Sequence, residues 1–536
     1  MSSSQSTVQF TILISLFFIV PFVSISQESS LESDESIISR YIDQISVDTL
    51  KSLLTFIASE ECEGRETGSD GIKKAATYIE DFYIRSGVEP GGKDGSYFQN
   101  VDFTWIYWDD IYLEARGEKY RHLWSFLAFQ DKNSDLLDFK KEEVIFLGFG
   151  IDDPVYSDYK DVEVKDKIIL IYKNEPIDED SIFLISQNKN PSKWNNNIDL
   201  KAETAYKHGA KLVMVIEDEM RRVLAENRRF LIGPKVLLGL PEQNQELTQT
   251  NTLLISTTLA KDLIGDQFEE VVRVRNAINK TGQNESVKIP IDIKVHMQKT
   301  VTSLSCKNIV AKVEGSEEGF KDEYIILSSH YDHLGKRGDD IFFGADDDGS
   351  GTSGVMEIMR VIAKAKAEGN GPKRTIIALH FTGEEKGLLG SKYYVNNPIY
   401  PLSETIVNLN IDMIGRIDDI YVDDPNYIYV IGADKISQEL HDINEWSNDR
   451  FIGLNLDYTY NDEEDPNRFY YRSDHYNFAS NGIPIIFYFN GTHEDYHLTS
   501  DTVDKIHFDK MKKICSLAAS VAFEIGNRKK PLEITN

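Results

Sequence analysis

The sequence predicts an α/β protein: an open mixed, mainly parallel sheet flanked by helices, with a β-rich unit inserted into it. Two observations carry this expectation. After Ile291, apolar runs at Tyr324–Leu327, Thr375–Phe381, Thr405–Ile411 and Ile483–Phe489 alternate with helical patterning. An apolar strand, an amphipathic helix and another apolar strand in succession imply an open sheet covered by helices on both faces. The second observation is a stretch of different texture inside the chain, with its own short apolar runs.

Taken in order, the run Val8–Val23 is almost entirely apolar and is followed by small residues at Ser24 and Ser26. It reads as an export signal over residues 1–26, cleaved before Gln27, which would place the mature chain in a periplasm or the medium. An uncleaved membrane anchor is the other reading of this run. No second apolar run is long enough to span a bilayer, so no stable insertion is expected after cleavage. In Lys73–Ser86, Ala75, Ala76, Ile79, Phe82 and Tyr83 recur at helical spacing. Phe103, Trp105, Tyr107 and Trp108 then read as a strand. Glu143–Gly148, Lys167–Tyr172 and Lys211–Ile216 are further strands, with a helix over Lys201–Gly209. The polar stretch Asn276–Glu285 reads as a return linker. In Gly354–Lys366, Val355, Ile358, Met359 and Ile362 share one helix face. The expected division is 27–107 for the first part of the main domain, 108–288 for the insert and 289–536 for the rest.

Composition narrows the function. The chain has 536 residues, enough for two to four domains. With 58 basic and 88 acidic residues, its formal charge is −30, which makes nucleic acid a poor partner. Cys62, Cys306 and Cys515 are too few and too far apart for a disulfide scaffold and are expected as buried thiols.

The chemistry lies where the strands end. His330-Tyr331-Asp332-His333 follows the first run of the second half, and Gly344-Ala345-Asp346-Asp347-Asp348 comes after a short loop. Glu384-Glu385, Asp412 and Asp495-Tyr496-His497 follow the next three runs. In open α/β sheets, ligands bind at the carboxyl ends of the strands. Any of these groups alone would be an ordinary surface pair, turn or helix cap. Together they bring many carboxylates to one edge, where they would repel and protonate unless divalent cations balanced them. Two histidines and several carboxylates, with no cysteine, suit zinc. A pair of zinc ions sharing a carboxylate can activate water, and one carboxylate that is not a ligand can take the proton.

These motifs resemble those of the zinc-dependent exopeptidases of family M28, which includes bacterial leucyl-type aminopeptidases and glutamate carboxypeptidase. The resemblance covers roughly Ser46–Tyr107 and Ile291–Asn527. It includes His330-Tyr-Asp332, Gly344-Ala-Asp346-Asp347, Thr382-Gly-Glu384-Glu385, Asn410-Ile-Asp412-Met413 and His497-Leu-Thr-Ser-Asp501. Glu63-Gly-Arg65-Glu-Thr-Gly-Ser69 is similar to the family's N-terminal signature. The resemblance implies two zinc ions: His330 and Asp412 on one, Glu385 and His497 on the other. It implies Asp346 as the bridge, with a cis peptide to Asp347 beside it, and Glu384 as general base. Asp332 would orient His330. Tyr496 resembles an oxyanion-stabilising tyrosine of some branches, with ordinary packing as the alternative. His333 is expected beside the ligands or at the surface, not among them. Asp474 and Asp501 read as helix caps, or else as support for the pocket and for His497. Arg416 is a candidate for binding a substrate carboxylate, although a structural ion pair is its simpler use. The insert, with Lys165-Asp-Lys-Ile-Ile-Leu170 and Ala205-Tyr-Lys-His-Gly-Ala210, resembles a protease-associated (PA) domain.

The expected function is therefore removal of N-terminal residues from peptide substrates. A glutamate carboxypeptidase-like or glutaminyl-cyclase-like reaction on the same fold is the alternative. A non-catalytic binding protein is a third reading, although no core position is lost. Oligomeric state is not legible.

Overall fold

The computed structural model describes Met1, residues 34–241 and residues 247–535. Apart from Met1, the expected export signal at 1–26 lies outside the described residues. Three helices open the described chain: α1 (Asp34–Ile42), α2 (Val47–Ile57) and α3 (Asp70–Ser86). Ser46 and Ser69 cap α2 and α3 by accepting from the amides of Thr49 and Ile72, and Gly87 closes α3 in the left-handed region. The long strand β1 (Phe98–Ala115) leads into the insert, which holds β2 (Leu136–Phe146), β3 (Ile168–Tyr172), α4 (Ile198–Lys207), β4 (Leu212–Glu217) and β5 (Asn251–Ser256). Helices α5 (Thr257–Ile264) and α6 (Gln267–Thr281) follow, and β6 (Val287–Val313) returns the chain. The second half runs β7 (Tyr324–His330), α7 (Gly351–Ala367), β8 (Thr375–Phe381), α8 (Leu389–Asn396), β9 (Thr405–Ile411), β10 (Tyr427–Ile431) and β11 (Asn455–Asp457). It ends with α9 (His475–Ala479), β12 (Ile485–Phe489) and α10 (Phe508–Asn527).

The strands lie in the order β11-β10-β12-β9-β7-β8-β6-β2-β3-β4-β5. The pairs β8/β7, β7/β9 and β9/β12 are parallel, while β6 and β10 run antiparallel to their neighbours β8 and β12. This is the mixed, mainly parallel sheet expected from the sequence. Strands β7, β8, β10 and β12 are buried throughout, which is why they read as apolar runs rather than alternating ones. Helices α2, α3, α7 and α10 cover one face with a core that includes Leu54, Ile79, Val355, Met359, Leu517 and Val521.

The insert has a second core on both faces of the parallel layer β2–β5. The divisions expected at 107/108 and 288/289 both fall inside continuous strands. β1 and β6 pair from Phe98 with Ile309 out to Ala115 with Ile293, forming one antiparallel ribbon. The near end of β6 pairs with β8 and its far end with β2. The linker expected over 276–285 is mostly the end of α6. Val271, Val274 and Ile278 recur on one face of that helix and bury against the insert sheet, which outweighs its polar tail.

Helix α7 must start hard against the sheet. A Cβ at Gly351 would lie 2.0 Å from the Ile411 carbonyl oxygen and 2.4 Å from Asp348 Oδ1. Because the first obstacle is backbone, Gly351→Ala is expected to destabilise the chain by at least about 1–3 kcal/mol. A thermal unfolding scan would show this as a lower midpoint.

Candidate metal centre

The register of the sheet levels the strand ends. His330 on β7 pairs with Phe381 on β8, and Asn410 on β9 with Phe487 on β12. The segments leaving these strands therefore meet at one edge: Thr382-Gly383-Glu384-Glu385 after β8, Asp412 after β9, and the turn holding His493 and His497 after β12. The Asp346–Asp348 loop enters the same edge immediately before α7.

Asp347 stands at the centre of this edge. Its Oδ1 is 3.2 Å from His330 Nε2, and its Oδ2 is 3.0 Å from His497 Nε2. On one side, Asp412 Oδ1 lies 3.6 Å and Glu384 Oε2 3.9 Å from His330 Nε2. On the other, Glu385 Oε1 lies 3.2 Å from His497 Nε2 and 3.1 Å from His333 Nδ1. Among the described residues, two groups of donor atoms lie close enough to share a metal ion: His330, Asp348 and Asp412 in one, and His333, Asp347 and Glu385 in the other. A cavity of roughly 230 Å³ opens on them, lined also by Leu388, Phe469, Phe487, Phe489, Arg472 and Tyr496.

The backbone around these donors is held by buried polar side chains. The guanidinium of Arg65 is fully buried and donates to the carbonyls of Ile57 (2.8 Å), Tyr331 (3.0 Å), Phe343 (2.7 Å) and Gly344 (2.9 Å). It thereby ties the end of β7 to the aspartate loop. Asp348 accepts from the amides of His330, Gly351 and Met413, joining three elements. Asp501 accepts from the amides of Asp346 and Asp347. Asp412 accepts from Ser473 Oγ at 2.6 Å, and Asn410 donates to the same hydroxyl at 2.9 Å.

The field at the centre favours positive charge. Burial alone would lower His330, but Glu384 and Asp412 outweigh it and hold the imidazole well above its ordinary value. His497 is likewise raised, against burial, to about 10 by Glu385 and Asp347. Burial and the neighbouring Glu385 push Glu384 well above the usual carboxylate range, although His330 opposes them. Burial and the charges of Asp347 and Glu385 also raise Tyr496, so its hydroxyl keeps its proton.

Several expected positions are corrected. The sequence reading put Asp346 between the two groups, but Asp347 lies there. The Asp346 carboxylate points away and accepts from Gly415 N (2.6 Å), Ser350 Oγ (3.1 Å) and Asn490 Nδ2 (3.1 Å), with His493 Nε2 3.3 Å distant. The cis peptide is Asp347–Asp348, one residue later than expected. Three consecutive aspartates give the sequence no phase, and the amide donors around each carboxylate decide it. Asp332 holds His330 through its backbone carbonyl, 3.0 Å from Nδ1, and not through its carboxylate, 3.9 Å away. That carboxylate instead accepts from Thr67 Oγ1 (2.8 Å) and the amide of Glu384 (3.1 Å), fixing the glutamate loop. Asp474 stands at the start of α9 without capping it, and burial raises it to about 7. Asp501 caps no helix. Arg416 is an ion-pair residue, with its guanidinium 2.8 Å from Asp495 Oδ2. His333, expected beside the ligands or at the surface, is fully buried, with Nδ1 3.1 Å from Glu385 Oε1.

Residues 308–522 match the model of peptidase family M28. Among curated relatives, a probable zinc metalloprotease of Leptosphaeria maculans is 26% identical over 211 residues, 37% of this chain and 43% of its own length. Leucine aminopeptidase 1 of Penicillium rubens is 25% identical over 227 residues, 41% of this chain and 56% of its own length. The chain thus spans about half the length of these relatives. An aminopeptidase from Aneurinibacillus sp. strain AM-1 has a similar fold, with a TM-score of 0.55 at 19% identity, over 94% of this chain and 98% of that one. Among the described residues, no helix is long and apolar enough to cross a membrane.

Two predictions follow from the support and the field. Arg65→Ala removes the partner of four buried carbonyls, at about 1–3 kcal/mol for each left unpaired. Arg65→Lys does not rescue it, because an ammonium cannot reproduce the planar fork. Both variants should unfold at a lower temperature than the parent. The second prediction concerns pH. A divalent cation must displace protons from His330 and His497, whose folded-state pKa values are raised. Cation affinity should therefore rise with pH through the neutral range, by up to about tenfold per unit for each proton displaced. Titration calorimetry in buffers of different ionisation enthalpy counts those protons.

Proposed function

We propose that this chain is an exported di-zinc aminopeptidase. The observation that carries the reading is Asp347, set between two groups of imidazole and carboxylate donors with Glu384 beside them at the mouth of a cavity. The donors fit zinc. The set is nitrogen and oxygen without sulfur, and among the described residues Asp347 Oδ2 and both ring nitrogens of His333 are buried without a hydrogen-bond partner. His330, Asp347 and Asp412 would hold one ion, and Asp347, Glu385 and His497 the other. The relative from Leptosphaeria maculans is named a zinc metalloprotease, and that from Penicillium rubens a leucine aminopeptidase.

Zinc bound there would supply a Lewis acid for the scissile carbonyl and lower the pKa of water. The protein's own residues do the rest. Glu384, held well above the usual carboxylate range by burial and by Glu385, lines the cavity and is the base that accepts a proton from the attacking water and passes it to the leaving amine. Tyr496 stays protonated and donates its O–H to the oxyanion. Its ring stacks on His497 with centroids 3.9 Å apart, which fixes its position. Phe469, Phe487 and Phe489 offer an apolar wall to the first side chain. The carboxylates of the centre suit a free ammonium, and Arg416 is already paired. Arg472 at the rim favours a second reading, a carboxypeptidase. The N-terminal apolar run supports export, and the self-contained core of the insert supports a PA-type domain over 108–288.

The test is hydrolysis of aminoacyl-chromogenic substrates by the mature protein, with and without chelator. Release should stop with chelator, return with zinc and prefer large apolar residues. Glu384→Gln should lower kcat by about 10²–10⁴-fold while keeping its metal. Cleavage only of substrates with a free C-terminal carboxylate would establish the second reading.

A further inference from the structure

We infer that an aromatic groove at the root of the insert holds the distal, apolar residues of a peptide substrate, about four to eight positions beyond the cleaved end. This rests on the aminopeptidase reading above and extends it from the first residue to the body of the substrate.

The groove has a volume of about 450 Å³. Trp105, Tyr107 and Trp108 line it from β1, and Ile232 and Pro234 from the insert. Tyr107 is 41% and Ile232 55% exposed. Contiguous apolar surface of this kind marks an interaction site. Two polar atoms in it also lack partners. Gln130 is 2% exposed, and its amide nitrogen donates to the Gly233 carbonyl at 3.1 Å. Its Oε1 has no hydrogen-bond partner among the described residues, and neither has the buried Nε2 of His122. Both residues line the groove. Burial lowers His122 to about 4, so its ring is uncharged at neutral pH. Buried polar atoms without partners are costly unless a ligand meets them, and an apolar cleft with a few such atoms is the usual form of a binding site. An extended peptide supplies what is missing. Its backbone carries N–H and C=O groups for Gln130 and His122, and its side chains pack on the aromatic wall.

The position of the groove selects the occupant. β6 runs antiparallel to β8, with Ile309 opposite His380. The residues of β6 before Ile309, and β1 paired with them, therefore rise past the carboxyl edge where the donors gather. On β1, Phe103, Trp105 and Tyr107 alternate onto one face. Phe103 is the residue that packs on Gly383, next to Glu384, where a Cβ would lie 3.0 Å from its ring. Val236 pairs with Trp105 and Leu238 with Phe103, so the other wall is tied to the same ribbon. From Phe103, Tyr107 is about 13 Å along the strand and Ile111, which also lines the groove, about 26 Å. An extended peptide covers about 3.3–3.6 Å per residue, so about four to eight residues span that distance. A chain whose amino end enters the metal centre brings those residues to the aromatic wall.

The test compares Gly/Ser decapeptides that share one N-terminal residue and differ in where phenylalanines stand. Phenylalanine about four to eight positions past the first residue should raise kcat/KM by about 10–100-fold over the plain peptide, mostly through KM. Ile232→Glu, at an exposed position, should abolish that gain. It should leave kcat/KM on aminoacyl-chromogenic substrates and the unfolding midpoint unchanged. Absence of the gain in the parent, or its survival in Ile232→Glu, would overturn the inference and leave the aminopeptidase reading intact. Absence of hydrolysis on every aminoacyl substrate would overturn that reading instead. Fluorescence anisotropy of the N-acetylated, labelled phenylalanine peptide, read in chelator, then decides the groove alone. Binding about tenfold tighter to the parent than to Ile232→Glu supports it, and equal or absent binding overturns it.

Discussion

The structure depends on concentrating negative charge in a dry place. Asp332, Asp346, Asp347, Asp348, Glu385, Asp412, Asp474 and Asp501 are all buried around one edge of the sheet. Uncompensated, such a group would protonate or unfold the edge. Much of the surrounding architecture answers that single problem. Arg65 brings a buried positive charge beneath the aspartate loop, and three imidazoles face the remaining oxygens.

The acids divide by what satisfies them. Asp332, Asp348 and Asp501 each accept backbone amides from other elements, and Asp346 accepts Gly415 N with two side chains. These carboxylates work as staples, fixing the loops of four strand ends against one another. Asp347 and Glu385 instead meet imidazoles, and Asp412 faces His330 with only Ser473 donating to its other oxygen. Those oxygens are positioned by their neighbours and turned toward imidazoles rather than backbone amides.

The ribbon of β1 and β6 also bears on the centre. Phe103 on β1 packs so closely on Gly383 that a Cβ there would lie 3.0 Å from the ring, and Leu304 on β6 would meet a Cβ at Gly68 at 2.4 Å. The root of the insert thus braces both the glutamate loop and the segment that carries Arg65 and Thr67. Val101, Phe103, Val236 and Cys306 form a small core there, with Leu389 and Tyr393 of α8 against it. The insert is consequently coupled to the loop that presents Glu384, not merely appended to the sheet.

Periodicity and strand-end chemistry by themselves determined the sheet, its helices and the edge where the acids gather. Apolar runs such as Thr375–Phe381 and Thr405–Ile411 match their strands residue for residue, because a strand buried on both faces has no polar position to blur its limits. What only the tertiary structure decided is which atom of each acid faces which neighbour. The choice of Asp347 over Asp346 depends on Gly415, whose amide donates to the Asp346 carboxylate, and on Asp501, whose carboxylate accepts from the amides of Asp346 and Asp347; both residues are far away in the chain. The role of the Asp332 carboxylate depends on Thr67, and the burial of His333 depends on Arg65 and Gly344. These are long-range contacts between loops, where side chains of like type compete for the same donors. Local spacing records which residues reach the edge, and packing assigns them their partners.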